Sequence, residues 1–439
     1  MQDVLIIGAG LAGSEAALQL ARRNIPVTLV EMRPETLTPA HETGLCAELV
    51  CSNSLKSDEP TTAAGTLKAE LDLLDCQLLA IAREQRVAAG SALAVDREAF
   101  AAAVTAAIDA EPLITRKTGE LRELDPETLT LIATGPLTSE ALSEALQQLA
   151  GTDSLAFYDA AAPIVAAESL DMSRIFAASR RNKGGADYLN SALDEAEYAR
   201  FYEALITARR VIPRDFERRE LFAACQPVEE VARSGPDALR FGALKPVGID
   251  DPRTGRWPYA LVQLRAENSR HSAYNLVGFQ TNLTFPEQRR VFSLLPGLEN
   301  AEFVRYGVMH RNTFLDAPRI LTPQLALKAA PNLLVAGQLM GTEGYLEAVT
   351  GGLLAALMVV ARLRNIKQPE LPPATTTAGS LFRYATDPAT TDYQPMHVNY
   401  GIIAPLTARL RKKQERYRAY HERAAQAMEQ WRRANPGLF

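Results

Sequence analysis

The amino end holds the feature that most restricts the fold. Val4-Leu5-Ile6-Ile7 reads as a short buried strand, and Gly8-Ala9-Gly10-Leu11-Ala12-Gly13 follows without a break. Ser14 to Arg23 carries small apolar residues at helical spacing (Ala16, Ala17, Leu20, Ala21). Val27-Thr28-Leu29-Val30 is a second strand, ending at Glu31, 18 residues after the last glycine. A G-x-G-x-x-G run alone is weak. In strand–turn–helix–strand order, with an acid at the tip of the second strand, it predicts a dinucleotide site. The glycines let the backbone close on a pyrophosphate at the helix amino terminus, and Glu31 can accept from the adenosine ribose.

Two later segments follow the logic of FAD proteins. Leu131-Ile132-Ala133-Thr134-Gly135-Pro136 is a strand ending in Ala-Thr-Gly, and Asn332-Leu333-Leu334-Val335-Ala336-Gly337-Gln338 is another ending in glycine. The second leads through Gly341, Glu343 and Gly344 into an apolar helix around Leu353 to Val360. Their order favours FAD over NAD as the tightly held dinucleotide. The expected contacts are Gly8, Ala9, Gly10, Leu11, Ala12, Gly13, Glu31, Thr134, Gly135, Gly337 and Gln338. No second G-x-G-x-x-G exists in the sequence, so a resident NAD(P)H domain of the disulfide-reductase kind is not expected.

The fold expectation is α/β: a Rossmann-like FAD-binding domain, glutathione-reductase-like, with an inserted α+β domain. Residues 1–170 form the first part of the FAD domain and 171–318 the insert, on the substrate side. Residues 319–439 form the second part with a basic carboxyl-terminal helix, read from Leu406 to Trp431. Gln368 to Ser380, rich in Pro and Thr, reads as a loop. A length of 439 residues accommodates this, and 47% hydrophobic with 23% charged residues is ordinary globular usage. The longest apolar run, Leu353 to Ala361, is short of the ~20 residues of a membrane helix. The amino end lacks a basic n-region and a cleavage site. Four cysteines are too few for a disulfide scaffold. These features point to a cytoplasmic location with no membrane partner. No metal is implied.

Net charge is −5, but Arg409 to Arg433 holds nine Lys/Arg against three Glu. A basic end on an acidic body suggests a polyanionic partner, or a solvated helix face. Cys46 and Cys51 have the spacing of the redox pair in flavin disulfide reductases, which makes such a reductase the rival reading. A non-catalytic RNA-binding protein that keeps FAD as structure is a third. Any single Cys is more often a small buried apolar residue.

Longer motifs narrow this. Thr38-Pro39-Ala40-His41, Glu48-Leu49-Val50-Cys51-Ser52-Asn53-Ser54-Leu55, Ala94-Val95-Asp96-Arg97 and Lys245-Pro246-Val247-Gly248 stand out. So do Gln263-Leu264-Arg265, Val277-Gly278-Phe279-Gln280-Thr281 and Tyr306-Gly307-Val308-Met309-His310-Arg311-Asn312-Thr313. With Ala336-Gly337-Gln338 through Gly344-Tyr345-Leu346-Glu347, and Gln394-Pro395-Met396, the chain resembles, end to end, the folate- and FAD-dependent tRNA uracil-5-methyltransferase family.

The resemblance implies methylation of carbon 5 of uridine 54 in the tRNA T-loop. Methylenetetrahydrofolate is then the one-carbon donor, reduced FAD the reductant, and NAD(P)H the electron source. Carbon 5 of uracil is a poor nucleophile. A thiolate added at carbon 6 makes it enolate-like, so the site needs a nucleophilic Cys, a base, a flavin and a folate pocket. The residues alone do not rank the cysteines. The resemblance assigns the nucleophile to Cys225, in Cys225-Gln226-Pro227-Val228-Glu229, and the base to Cys51. It suggests that His310 stacks on the pterin. Glu343 and Glu347 either meet the pterin nitrogens or simply begin a helix. Where the family has Cys-Pro after Tyr-Leu-Asn, this chain has Ser191-Ala192. Arg174, Arg180, Arg181 and Lys183 form one basic cluster, and Arg409, Arg411, Lys412, Lys413, Arg416 and Arg418 another. Arg174, Arg181, Lys412 and Arg416 are the expected tRNA contacts, through phosphate and with strong salt dependence. The target base must leave its stack to reach the flavin. No protein partner is implied.

Overall fold

The structure is a computed structural model that describes residues 3–151, 155–182, 185–211, 226–391, 393–407 and 410–439. Five parallel strands form the central sheet, in the spatial order Leu333–Val335, Thr130–Ile132, Val4–Ile7, Val27–Glu31 and Ile114–Thr118. In the first four of these, alternation is weak because both faces are covered, as buried parallel strands require, while the edge strand Ile114–Thr118 is exposed beyond Ile114. Helix Leu11–Ala21 packs on helix Tyr345–Leu363, and the contact is made by small residues. A Cβ on Gly352 would stand 2.0 Å from the carbonyl oxygen of Ala12, and one on Gly13 only 1.8 Å from that of Gly8. Closer approach than any side chain allows is what these glycines supply.

Helix Tyr345–Leu363 has 19 residues and is apolar enough to cross a membrane by length and composition, a property that run length alone did not reveal. Its residues Leu346 to Ala361 are all buried inside the first hydrophobic core. It is a core helix.

A six-stranded antiparallel sheet makes the second unit. Its order is Ile175–Ala178, Tyr188–Leu193, Ala260–Ala266, Ala273–Leu276, Ile164–Ala166 and Phe303–Arg305. Helices Glu195–Thr207, Val228–Arg233 and Phe285–Phe292 complete a separate core around Phe201, Phe279 and Phe292. The sheet takes in Ile164–Ala166, ahead of position 171. The two units are joined by a two-stranded antiparallel ribbon, Leu155–Ala160 against Met309–Phe314. A small sheet of Ser54–Ser57, Ala92–Val95 and Arg86–Val87 packs on helices Ala63–Leu73 and Gln77–Glu84.

Two readings at the carboxyl end change. The basic helix runs Lys413–Ala434, so it starts later than Leu406 and ends beyond Trp431. The Pro/Thr loop stops at Thr376, whose side chain accepts from the Gly379 amide at 2.9 Å and caps helix Thr377–Thr386. The basic helix docks one side on helix Ala63–Leu73, burying Ala424, Met428 and Trp431.

Candidate active site

The glycine turns of the sequence all follow the carboxyl ends of parallel strands, so the sheet gathers them on one edge. That edge is where open α/β sheets bind ligands. Gly8 (φ +98°) sits under Ala133 and Thr134, with its missing Cβ 2.7 Å from the Ala133 oxygen. Gly10 differs: a Cβ there would meet nothing within 4 Å. Gly10 is also the amino cap of helix Leu11–Ala21, and no side chain caps that helix. Its first-turn amides lack an intrahelical acceptor. Open space at Gly10 over uncapped amides fits a pyrophosphate. Gly135 (φ +69°) likewise faces open space, while Gly337 (φ +72°) lies against the Ala12 side chain, its missing Cβ 2.8 Å away.

A groove beside these turns is lined by Gly8, Val30, Glu31, Met32, Gly119, Thr134 and Ser139, among others. Glu31 is buried at its mouth. Its oxygens accept from the Ala9 amide at 2.8 Å, the Arg33 amide at 3.1 Å, and the Arg33 guanidinium at 3.0 and 3.2 Å. Burial alone would raise its pKa, but Arg33 and the Ala9 amide outweigh that and hold the carboxyl below its usual range. Arg33 is the piece sequence reasoning missed. It also pairs with Glu48 at 3.1 Å and so ties the Glu48–Leu55 motif to the dinucleotide groove. Nothing in periodicity or spacing marks it.

Cys46 and Cys51 part company in space. Cys46 is buried in the first core, its amide donating to Thr105 at 2.9 Å, and burial pushes its thiol pKa up. A thiol held neutral there is a poor redox partner. Cys51 is half-buried between units. Its amide donates to the Tyr345 hydroxyl at 2.8 Å, and its Sγ points to the Ala160 carbonyl at 3.8 Å. Ala160 ends the ribbon strand that pairs with Met309–Phe314, and in that register His310 stands opposite Asp159. Gln338 donates to Glu343 at 2.6 Å, and the Glu343 amide bonds to Met396. Glu347 is fully buried in the first turn of helix Tyr345–Leu363 and pairs with Lys56 at 2.5 Å.

Cys225 lies outside the described residues, as do Lys183 and Arg409. The chain on either side of 212–225 is anchored to one loop: the Val211 amide donates to Asn282 at 2.8 Å, and Val228 to Gln280 at 2.7 Å. Buried Glu229 accepts from Thr281 Oγ1 at 2.9 Å and from the Asn282 amide at 2.7 Å. The Thr281 amide in turn donates to Ala161, next to the Ala160 carbonyl that Cys51 faces.

The first basic cluster divides. Arg174 is held by Glu197 at 2.6 Å and Glu299 at 2.7 Å. Arg180 turns inward to Gln263 and the Val247 carbonyl, and Arg181 is exposed. Lys412 is exposed and pairs with Glu415 at 3.0 Å, while Arg416 is partly exposed beside the Tyr417 ring. Ser191, in place of the family's thiol, is buried and bonds to the Pro296 carbonyl at 2.7 Å. Among the described residues no group of His, Cys, Asp and Glu could hold a metal ion.

Fold and site together define a class: an α/β flavoprotein scaffold carrying a second, antiparallel unit at the mouth of its dinucleotide edge. A family profile described as glucose inhibited division protein A matches residues 3–367. The chain is 53% identical over 428 residues to methylenetetrahydrofolate–tRNA-(uracil-5-)-methyltransferase TrmFO of Moorella thermoacetica, covering 98% of this chain and 97% of that one. It is 52% identical over 429 residues to the TrmFO of Geobacter sulfurreducens, covering 98% of both. The chain belongs to the glucose inhibited division protein A family and, with these relatives, to its methylenetetrahydrofolate–tRNA-(uracil-5-)-methyltransferases. Among solved structures, GidA of Aquifex aeolicus superposes with a TM-score of 0.70 at 17% identity, covering 100% of this chain and 74% of that one. That likeness shows the shared fold.

Proposed function

We propose that this protein is the folate- and FAD-dependent enzyme that methylates carbon 5 of uridine 54 in the T-loop of tRNA. The family name supports the reaction class, and the convergence of Cys51 with the flank of Cys225 at Ala160 and Ala161 carries the mechanism. FAD, when bound and reduced, supplies the hydride that completes the methyl group. Gly8 to Gly13, Glu31, Thr134, Gly135, Gly337 and Gln338 would hold it, with NAD(P)H as the electron source. The insert, residues 171–318, presents the RNA side of the site.

Cys225 Sγ adds to carbon 6 of the uracil, and the electron pair moves to carbon 5, which attacks the methylene of methylenetetrahydrofolate. Cys51 then takes the proton from carbon 5 as tetrahydrofolate leaves. With the exocyclic methylene reduced to methyl, the Cys225 thiolate would leave carbon 6. His310 and Glu343 border the folate. Arg181, Lys412 and Arg416 meet tRNA phosphates, with Arg174 released from its two glutamates on contact. The enzyme works in the cytoplasm with its substrate.

A 5-fluorouridine T-arm minihelix tests the assignment, since fluorine cannot leave as a proton. Wild type and FAD-loaded Cys51→Ala should form a covalent adduct, and Cys225→Ala should not. An adduct that survives Cys225→Ala and vanishes in FAD-loaded Cys51→Ala exchanges the two roles. An adduct in none of them removes the covalent mechanism.

A further inference from the structure

The loop that carries Cys51 is gripped by two arginines from different units, Arg97 half-buried and Arg265 buried. Arg97, at the start of helix Arg97–Asp109, donates Nη2 to the Cys51 carbonyl at 3.1 Å and Nη1 to that of Leu49. Its Nε bonds to Glu267 at 2.9 Å. Arg265, on strand Ala260–Ala266 of the second unit, donates Nε to Asn53 Oδ1 at 2.8 Å and Nη2 to Ser52 Oγ at 2.6 Å. Asn53 is locked in turn, its amide donating to the Val95 and Ala266 carbonyls at 2.9 Å each.

Arg97 has its carboxylate. Arg265 has none: it is 7% exposed, and among the described residues no carboxylate lies within ion-pair distance of it. A buried charge without a counter-ion is expensive, and its bonds here go to neutral oxygens. Such a cation is stable where an anion stands close by. Among the described residues the charged and titratable groups around the loop are Arg97 from its helix, Arg265 and Glu267 from the second unit, Tyr188 on the adjacent strand, Tyr345 on helix Tyr345–Leu363, and the ion pairs Arg33–Glu48 and Lys56–Glu347 at its two ends. Glu267 bonds to Arg97 through one oxygen only, so among the described residues two cations share this one carboxylate beside the Cys51 loop.

We infer that Arg265, with Arg97, is a positioning residue that keeps Cys51 in its thiolate form and so ready to accept a proton. Burial works against the charge of Arg265 and neighbouring Arg97 adds to that, whereas Glu267 and a Cys51 thiolate favour it; Tyr188 would favour it only when ionised, and burial pushes its own pKa up. The arrangement also makes the thiolate depend on docking of the second unit, because Arg265 comes from there and Cys51 from the dinucleotide unit. The inference rests on the proposed role of Cys51, but its test does not use methyl transfer.

The test is alkylation of Cys51 by iodoacetamide in the FAD-loaded full chain, followed by peptide mass spectrometry from about pH 5 to 10. Buried Cys46 and Cys76 are internal controls. The wild-type midpoint should lie below the ~8.5 of an ordinary thiol. Arg265→Met should raise it by about one unit or more, which slows alkylation near neutral pH about tenfold. Arg265→Lys, which keeps the charge, should stay close to wild type. A wild-type midpoint at or above the ordinary value overturns the inference, as does an unchanged midpoint in FAD-loaded Arg265→Met. If the Met variant does not fold, the wild-type midpoint and the Lys variant still decide. A depressed midpoint in a protein that never methylates tRNA upholds the inference and sinks the proposed reaction instead.

Discussion

Gly10→Val should separate cofactor binding from folding. Gly10 has φ −70° and ψ −168°, an extended conformation open to any residue, and a Cβ built there meets nothing within 4 Å. The apoprotein therefore loses only the preference for Gly over Val at an amino cap, about 0.5–1 kcal/mol. The isopropyl group occupies the space over the first-turn amides of helix Leu11–Ala21, the proposed site of the pyrophosphate. A hydrogen bond to a charged group contributes about 1.5–3 kcal/mol, so losing two raises the Kd for FAD about a thousandfold. Gly13→Ala is the contrast. Its Cβ would fall 1.8 Å from the Gly8 oxygen, and the overlap costs about 1–3 kcal/mol of fold stability. Flavin-to-protein absorbance, fluorimetric titration of the apoprotein with FAD, and urea unfolding of the apoprotein measure the two effects. Full FAD occupancy in Gly10→Val would refute the cradle reading, and so would an apoprotein as weakened as Gly13→Ala.

Other perturbations follow from the same geometry. His310→Ala should slow folate-dependent turnover while FAD stays bound; loss of flavin with normal folate kinetics after reconstitution makes it a scaffold residue. Lys412→Glu with Arg416→Glu should weaken tRNA binding and flatten its log–log salt slope, by about 0.9 per lost contact on duplex. An unchanged slope returns the carboxyl-terminal helix to the role of a solvated face. Gly352→Val should lower the urea midpoint sharply, since even a Cβ there stands 2.0 Å from the Ala12 oxygen; a wild-type midpoint would contradict the packing. Cys46→Ala should keep methyl transfer, in contrast to the disulfide-reductase reading, which needs that thiol.

The glycine-turn edge of the parallel sheet was readable because its parts are local: a strand, three glycines and an acid within one stretch of chain. Amino caps such as Asp96, Ser139 and Asp194 follow the same short-range chemistry. What stayed hidden is long-range. Helix Gln77–Glu84 has no side-chain cap of its own, and the carboxylate of Glu15 supplies one by accepting from the Gln77 and Leu78 amides. Glu70 does the same for Thr377 and Ala378, across most of the chain. Equal spacing cannot tell a Cys46 turned into the core from a Cys51 turned toward the second unit. The grip of Arg265 on Ser52 depends on strand register in a sheet that begins more than a hundred residues later.

The ribbon has a consequence for how the chain assembles. Strands Thr130–Ile132 and Leu333–Val335 are neighbours in the parallel sheet, though roughly 200 residues separate them. Once the antiparallel unit has condensed, the ribbon holds Ala160 against Met309, and the long excursion is already closed. The last strand then searches across a far shorter effective loop, which lowers the entropic cost of closure by about 1 kcal/mol. The antiparallel unit thus acts as a splint, set before the parallel sheet is finished. Pulse-labelled hydrogen exchange during refolding should protect the amides of Ala260–Ala266 ahead of those of Leu333–Val335, and the opposite order would show that the sheet closes without its help.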